Sequence, residues 1–306
     1  MVVASALLAA LAFALAWPVP IVLARADWPS RAPAIALVVW QAIAIAGVLS
    51  TIGAFGTFGL SGIASTVSDG LVILASAAMD GSTPSGLGTA HIFALCCAVL
   101  FAGHLLLSVL TTIVRTERER RRQHDLVTLL STPTSSIPGT RLLEYAAPVA
   151  YCLPGAFRTA TVLTDGLVKA LSTDEVNAVI SHERAHLAQQ HHLLLLAFRA
   201  WRKALPWFPI ATRASDAVGL LVEMRADDTA RAEYSADSLV SAIITVATGG
   251  GGSPDVGVAD ATPQSAAPRV TRLLTQPHPL PSFAVVGILG ASLALVLVPP
   301  LLLLTA

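Results

Sequence analysis

The sequence has 306 residues, of which 54% are hydrophobic and only 12% charged, with a formal net charge of zero. Soluble globular domains carry about 25% charged residues, so this composition excludes an ordinary water-soluble protein, and the balanced charge gives no footing for nucleic-acid binding. Three cysteines, Cys96, Cys97 and Cys152, make neither a disulfide framework nor a CxxC pair.

Val2 to Ala24 is an almost unbroken apolar run, long enough to cross a bilayer. Met1 to Ser5 carries no positive charge, so the run reads as a retained membrane helix rather than a signal peptide, bent at its far end by Pro18 and Pro20. A polar turn, Arg25 to Arg31, precedes a second span at Ala34 to Phe58, with Pro33 in place for a first helical turn. Gly59 to Thr89 holds no Lys or Arg, and its apolar piece, Leu71 to Met79, is too short to cross. Ala90 to Val114 is the third span. It runs into Arg115-Thr116-Glu117-Arg118-Glu119-Arg120-Arg121-Arg122, with five arginines. Such a run suits a solvated helix end, and it also sets orientation, because basic residues stay on the cytoplasmic side. Arginines follow spans one and three and are absent after span two. The N-terminus is therefore expected outside the cell and the segment after Arg115 inside.

The only long polar part follows. Pro133 and Pro138-Gly139 mark a loop. Arg141 to Tyr145, Val149 to Cys152 and Ala160 to Leu163 are short apolar runs, separated by Pro148 and Pro154-Gly155, and read as a small antiparallel sheet. Asp165-Gly166 reads as a turn. Ser172-Thr173-Asp174-Glu175 is a capping box that starts a helix, with Val176, Val179, Ile180 and Leu187 at helical spacing. Leu193 to Phe208, rich in Trp and Arg, reads either as a helix at the membrane interface or as an ordinary buried helix. Ser215 is placed to cap a further helix running to about Ala232. Residues 249–268 are Gly/Ser/Pro/Ala-rich and read as a linker. Phe283 to Leu304 is a fourth span.

The chemistry lies on the capped helix, in His182-Glu183-Arg184-Ala185-His186. Positions i and i+4 share a helix face, so both imidazoles can reach one ion, with Glu183 beside it. Two nitrogen ligands, a carboxylate able to deprotonate water, and an open coordination position are what HExxH zinc hydrolases need. A third ligand must come from elsewhere. Glu223 is the best candidate, on the next helix, and Asp227 four residues on can accept the outer N–H of a ligating imidazole. Zn2+, one per chain, is the expected cofactor. Arg269, Arg272, Tyr234 and His278 are alternative donors to the oxyanion or substrate. His191 and His192 read as exposed or interfacial residues rather than as a second metal site. No GxSxG and no phosphate loop is present.

With Glu223-Met224-Arg225-Ala226-Asp227, the HExxH stretch resembles the integral-membrane gluzincin zinc metallopeptidases of the BlaR/MecR type, with the HtpX and CAAX prenyl protease types as cousins. Ala150-Tyr151-Cys152-Leu153-Pro154-Gly155, Leu163-Thr164-Asp165-Gly166-Leu167 and Arg269-Val270-Thr271-Arg272-Leu273-Leu274 match as well. The resemblance implies zinc on His182, His186 and Glu223, with Glu183 as catalytic base. It also implies a cleft lined by the strand at Thr159 to Thr164, and cleavage of the protein itself or of a transcriptional repressor. The β-lactam receptors carry a penicillin-binding domain after the last span, whereas this sequence stops at Ala306, so β-lactam sensing is not expected.

The expected fold class is then an α-helical membrane protein with four transmembrane helices and a cytoplasmic α+β zincin-like metallopeptidase domain. Residues 1–115 hold three spans (about 2–24, 34–58 and 90–114), 116–280 the peptidase domain and 281–306 the fourth span. The expected activity is zinc-dependent endoproteolysis at the cytoplasmic face of the plasma membrane, in regulatory proteolysis or membrane-protein quality control. Its partners are a protein or peptide substrate (a repressor or a membrane protein) and the lipid bilayer, both termini lying outside. A non-catalytic membrane receptor or scaffold is the alternative, and an intact Glu183 argues against it. A channel or transporter is disfavoured because the spans offer no ionisable residues beyond His91 and His104.

Overall fold

A helix satisfies the backbone of a long uncharged stretch within the stretch itself, and the first part of this chain is helical. The computed structural model describes residues 1–133, 140–153, 160–206, 209–249 and 263–306. The expected breaks at Pro138-Gly139 and Pro154-Gly155, together with Thr159, Trp207, Phe208 and linker residues 250–262, lie outside them. The chain divides into two compact units.

The first unit comprises Met1–Leu110, Ala200–Ala214 and Leu280–Ala306. Helix α1 (Val2–Ala16) stops at Trp17, and α2 (Pro18–Arg25) restarts with Pro18 in its first turn, where a missing N–H costs nothing. The expected bend is thus a break. The short α3 (Trp28–Arg31) leads to α4 (Pro33–Leu60), along which α1 and the final helix (Ser282–Thr305) both pack. Small residues permit the approach: a Cβ on Gly53 would meet Leu8 at 3.1 Å and Leu303 at 3.2 Å. Ser5 Oγ donates to the Ala54 carbonyl at 3.0 Å across the same seam. Helix α5 (Val67–Met79) is capped by Thr66, whose hydroxyl accepts the Asp69 N–H at 3.2 Å. Its 13 residues are too few to cross.

Helix α6 (Thr89–Leu130) contains the expected third span and continues past it. It runs unbroken for 42 residues, through the arginine run, because Arg, Glu and Gln are good helix formers and the change of composition does not interrupt the backbone ladder. Residues 200–214 belong with the first unit. His104 Nε2 lies 2.9 Å from the Ala204 carbonyl oxygen, and Ser108 Oγ donates to the Ala200 carbonyl at 3.0 Å. Part of the Trp/Arg-rich segment is therefore held against the apolar stretch of α6. Among the described residues, four helices are long and apolar enough to cross a membrane: Val2–Arg25, Pro33–Leu60, Thr89–Leu130 and Ser282–Thr305.

The second unit comprises Thr111–Arg199 and Ser215–Pro279. Strands β1 (Ser131–Pro133), β2 (Thr140–Leu143), β3 (Ala150–Leu153) and β4 (Ala160–Thr164) form one sheet in the order β1-β2-β4-β3. The sheet is mixed rather than antiparallel. β4 enters between β2 and β3, parallel to β2 with Thr140 opposite Thr161, and antiparallel to β3 with Cys152 opposite Thr161. β1 was not expected; it is three residues long, pairs antiparallel to β2, and takes in Pro133, which was expected in a loop but lies opposite Arg141 at the strand's end. Side chains alternate across β4. Val162 joins Val127, Tyr151 and Leu153 on one face, and Leu163 joins Leu167, Leu171, Val176 and Ile180 on the other.

Asp165-Gly166 opens a short helix, α7 (Asp165–Ala170), rather than a turn, with Thr164 Oγ1 accepting the Leu167 N–H at 3.2 Å. Any side chain on Gly166 would run into the Ala146 carbonyl. The capping box then starts α8 (Thr173–Ala188): Ser172 N–H donates to Glu175 Oε2 at 2.7 Å, and Glu175 N–H donates to Ser172 Oγ at 3.4 Å. Helices α9 (His191–Ala204) and α10 (Pro209–Arg231) follow. Ser215 lies inside α10 and caps nothing, because Pro209 already supplies a first-turn residue with φ preset for a helix. Helix α11 (Ala236–Gly249) ends where the linker was expected, and residues 263–268 of that linker belong to α12 (Pro263–Thr275).

Candidate metal centre and active site

Helix α8 carries His182 and His186 one turn apart, and α10 carries Glu223 and Asp227 one turn apart. Small buried residues on both helices, Ala178 and Ala185 on α8 and Ala226 and Ala230 on α10, leave room for these polar side chains. Three donor groups converge. His182 Nε2 and His186 Nε2 are 3.1 Å apart. Glu223 Oε2 is 3.3 Å from His182 Nε2, and its Oε1 is 3.4 Å from His186 Nε2. Ligand atoms on a tetrahedral zinc with bonds of about 2.0–2.1 Å stand roughly 3.3–3.4 Å from one another. The spacing and the chemistry of two imidazoles and a carboxylate therefore fit that ion, and these residues form the one metal-capable group among the described residues.

Behind the donors lies a buried network. His182 Nδ1 is 2.9 Å from Asp227 Oδ1, and Asp227 is 1% exposed. Arg269, from α12, donates through Nε and Nη2 to the two Asp227 oxygens at 2.8 and 2.6 Å, and its Nη1 lies 2.9 Å from Glu223 Oε2. Arg269, expected as a donor to the oxyanion or substrate, is held by these two carboxylates at the edge of the site. Arg272 pairs with Asp228 at 2.6 Å. Tyr234 packs against the cluster of Ala178, Ala230, Leu239 and Leu273. Arg272, Tyr234 and His278 are not among the residues lining the cavity described below.

The electrostatics follow from burial set against these partners. Burial alone would lower His182, but Asp227 and Glu223 outweigh it and raise its pKa to about 10. Burial lowers His186 to about 3, only partly offset by Glu223. Burial would raise Glu223, yet His182 and Arg269 hold it at about 2. Asp227 is also depressed, burial being outweighed by Arg269 and His182. Glu183 moves the other way: burial pushes it up to about 7, against the pull of His182, and it accepts the Cys152 backbone N–H. The Cys152 thiol is pushed up to about 12 by burial and by Glu183, which removes it as a nucleophile.

A cavity of about 1060 Å³ opens on these groups. Glu183, His182, His186 and Glu223 line it together with Ala150, Cys152 and Leu153 of β3. Among the described residues, the strand beside the cleft is therefore β3, paired on one side only, and not residues 160–164, which form β4 and are paired on both sides. Leu187, Leu196, Ile243 and Val246 supply an apolar wall, and Arg115, Arg118 and Arg122 of α6 line another part. Among the described residues, Arg120 and Arg121 pair with Glu117, whereas those three arginines form no ion pair.

One residue at the centre was misread from sequence. His191 is 4% exposed, with its Nδ1 3.0 Å from His186 Nδ1. Five residues beyond His186, a continuous helix would carry it off this face. The chain instead breaks at Gln190, whose φ of 51° is left-handed, and returns His191 to the site. His192 is exposed, as expected.

In comparison with known proteins, the model of peptidase family M48 matches residues 115–282, more than half of the chain. No curated protein and no solved structure matches.

Proposed function

Because the chain belongs to peptidase family M48 and carries a metallopeptidase domain, we propose that it is a zinc-dependent endopeptidase with His182, His186 and Glu223 as metal ligands and Glu183 as catalytic base. The observation that carries this reading is the convergence of the three donor groups at 3.1, 3.3 and 3.4 Å beside a carboxylate raised to about 7. Zinc held there supplies a Lewis acid that acidifies water and polarises a carbonyl. Glu183 takes a proton from the attacking water and delivers it to the leaving amine, a role matched by a pKa near neutrality. Asp227 holds the His182 ring through Nδ1, and Arg269 keeps Asp227 and Glu223 ionised at one fixed geometry. The half-paired strand β3 offers backbone groups to an extended peptide, and the apolar wall favours apolar side chains beside the scissile bond.

Zinc titration tests the ligand set. His182, with a pKa of about 10, carries a proton that the metal must displace, whereas His186 at about 3 and Glu223 at about 2 have none to lose near neutrality. Zinc affinity should therefore rise about tenfold per pH unit between roughly pH 7.5 and 9.5, one proton being released. Competition with a chromophoric chelator measures the affinity, and wild-type binding by His182→Ala removes His182 as a ligand. In the same titration Glu223→Ala should lose most of the affinity; wild-type binding by that variant removes Glu223.

The four apolar helices support an integral membrane protein, and the arginines after spans one and three support a catalytic domain on the cytoplasmic side of the plasma membrane with both termini outside. A reporter fused after Arg122 should read as internal and one after Ala306 as external; the reverse pattern refutes this orientation. The layout that resembles the BlaR/MecR type supports cleavage of a repressor or another regulatory protein. Proteins that accumulate in cells carrying Glu183→Gln would identify the substrate.

A further inference from the structure

We infer that His191 is a positioning residue for the metal centre: it accepts the Nδ1–H of His186 and so holds His186 in the tautomer whose Nε2 lone pair faces the ion. The inference rests on the zinc reading above and concerns how the second imidazole is set.

A ligating imidazole needs a lone pair on one nitrogen and a hydrogen on the other, and the partner of the outer nitrogen decides which is which. For His182 that partner is the Asp227 carboxylate, which can only accept. For His186 it is another imidazole, His191, at 3.0 Å between the two Nδ1 atoms. Two ring nitrogens facing each other share one hydrogen, and either could carry it. The choice is made further out. His191 Nε2 lies 3.2 Å from Gln189 Oε1, while Gln189 Nε2 donates to Thr229 Oγ1 at 2.8 Å. Thr229 directs its own hydrogen to the Arg225 carbonyl at 3.2 Å, so its oxygen accepts from Gln189. The Gln189 amide is thereby oriented with its NH2 towards Thr229 and its carbonyl towards His191.

From that point each step is forced. A carbonyl oxygen only accepts, so the hydrogen of His191 sits on Nε2. Its Nδ1 then has a lone pair, and His186 Nδ1 must carry the hydrogen between them. His186 Nε2 is left as the lone pair directed at His182 and Glu223. With the Gln189 amide reversed, the same chain would place a hydrogen on His186 Nε2, where the metal has to bind. The left-handed Gln190 makes the relay attainable, since it places Gln189 at the end of α8 and His191 at the start of α9 on the same side.

The test uses the full-length protein in detergent. His191→Ala should weaken zinc binding about 10–100-fold, the range typical of lost outer partners of metal-ligating imidazoles. His191→Asn, whose amide oxygen can accept from His186 Nδ1, should recover most of that loss. Nitrogen NMR of histidine-labelled, metal-free wild type should show His186 protonated on Nδ1 and His191 on Nε2. Wild-type affinity in His191→Ala, an Asn variant as weak as the Ala variant while still folded, or a hydrogen on His191 Nδ1 would each overturn the inference. If His191→Ala does not fold, the Asn variant and the NMR assignment decide. Failure of the zinc reading is distinguishable, because wild type would then bind zinc no better than Glu223→Ala while the tautomers are still read in the metal-free protein.

Discussion

Glu183→Gln should lower peptide hydrolysis by about 10²–10⁴-fold while zinc content stays at the wild-type level. The substitution is nearly isosteric and leaves His182, His186 and Glu223 untouched, so it removes proton transfer alone. The buried position that raises Glu183 to about 7 accepts an uncharged amide more readily than a carboxylate. Fold stability should accordingly hold or rise. The pair of measurements is turnover of a peptide library in detergent and metal content of the same sample. Hydrolysis at the wild-type rate with zinc bound would remove Glu183 from the mechanism, whereas a wild type that binds zinc and hydrolyses nothing would favour the scaffold reading.

Arg269→Ala should cost about 3–5 kcal/mol of fold stability, the range for removing one partner of a buried ion pair. Arg269 makes two hydrogen bonds to Asp227 and a third contact at 2.9 Å to Glu223, and all three side chains are buried. Removing it leaves two carboxylates one turn apart on α10 with only His182 as counter-charge. Arg269→Lys keeps the charge but cannot span both carboxylates as a fork, and should fall between the Ala variant and wild type. Denaturant unfolding of the metal-free protein measures the loss. Arg272→Ala is the control: its partner Asp228 is 29% exposed, and solvent screening makes the effect much smaller. Equal losses for the two would mean that Arg269 acts as packing and not as a clamp.

What could be read in advance was local. The HExxH pair, the capping box that places it on a helix, and the Glu223/Asp227 spacing each depend on residues within one or two turns of each other. Long uncharged runs made four helices legible because a membrane-length requirement leaves few alternatives. What was not legible depends on more distant structure. Arg269 stands 42 residues from Asp227, and nothing in its neighbourhood announces a carboxylate partner. The parallel pairing of β2 with β4 depends on β3 crossing to the far edge, which alternation within a strand cannot reveal. His191 was assigned by extending a helical period through a backbone break. The apolar run ends where charge begins, and the helix that continues it to Leu130 has no apolar signal of its own to mark its end.

The centre draws on α8, α10 and α12, so its last essential charge is made long after its first ligand. Chains fold progressively as they are synthesised. A nascent chain that has reached α10 already holds two histidines and two carboxylates, but Glu223 and Asp227 then face burial without their guanidinium. The donors become a fixed triangle only when residue 269 arrives. Until residue 269 has been made, the buried carboxylates of α10 therefore lack the cation that balances them.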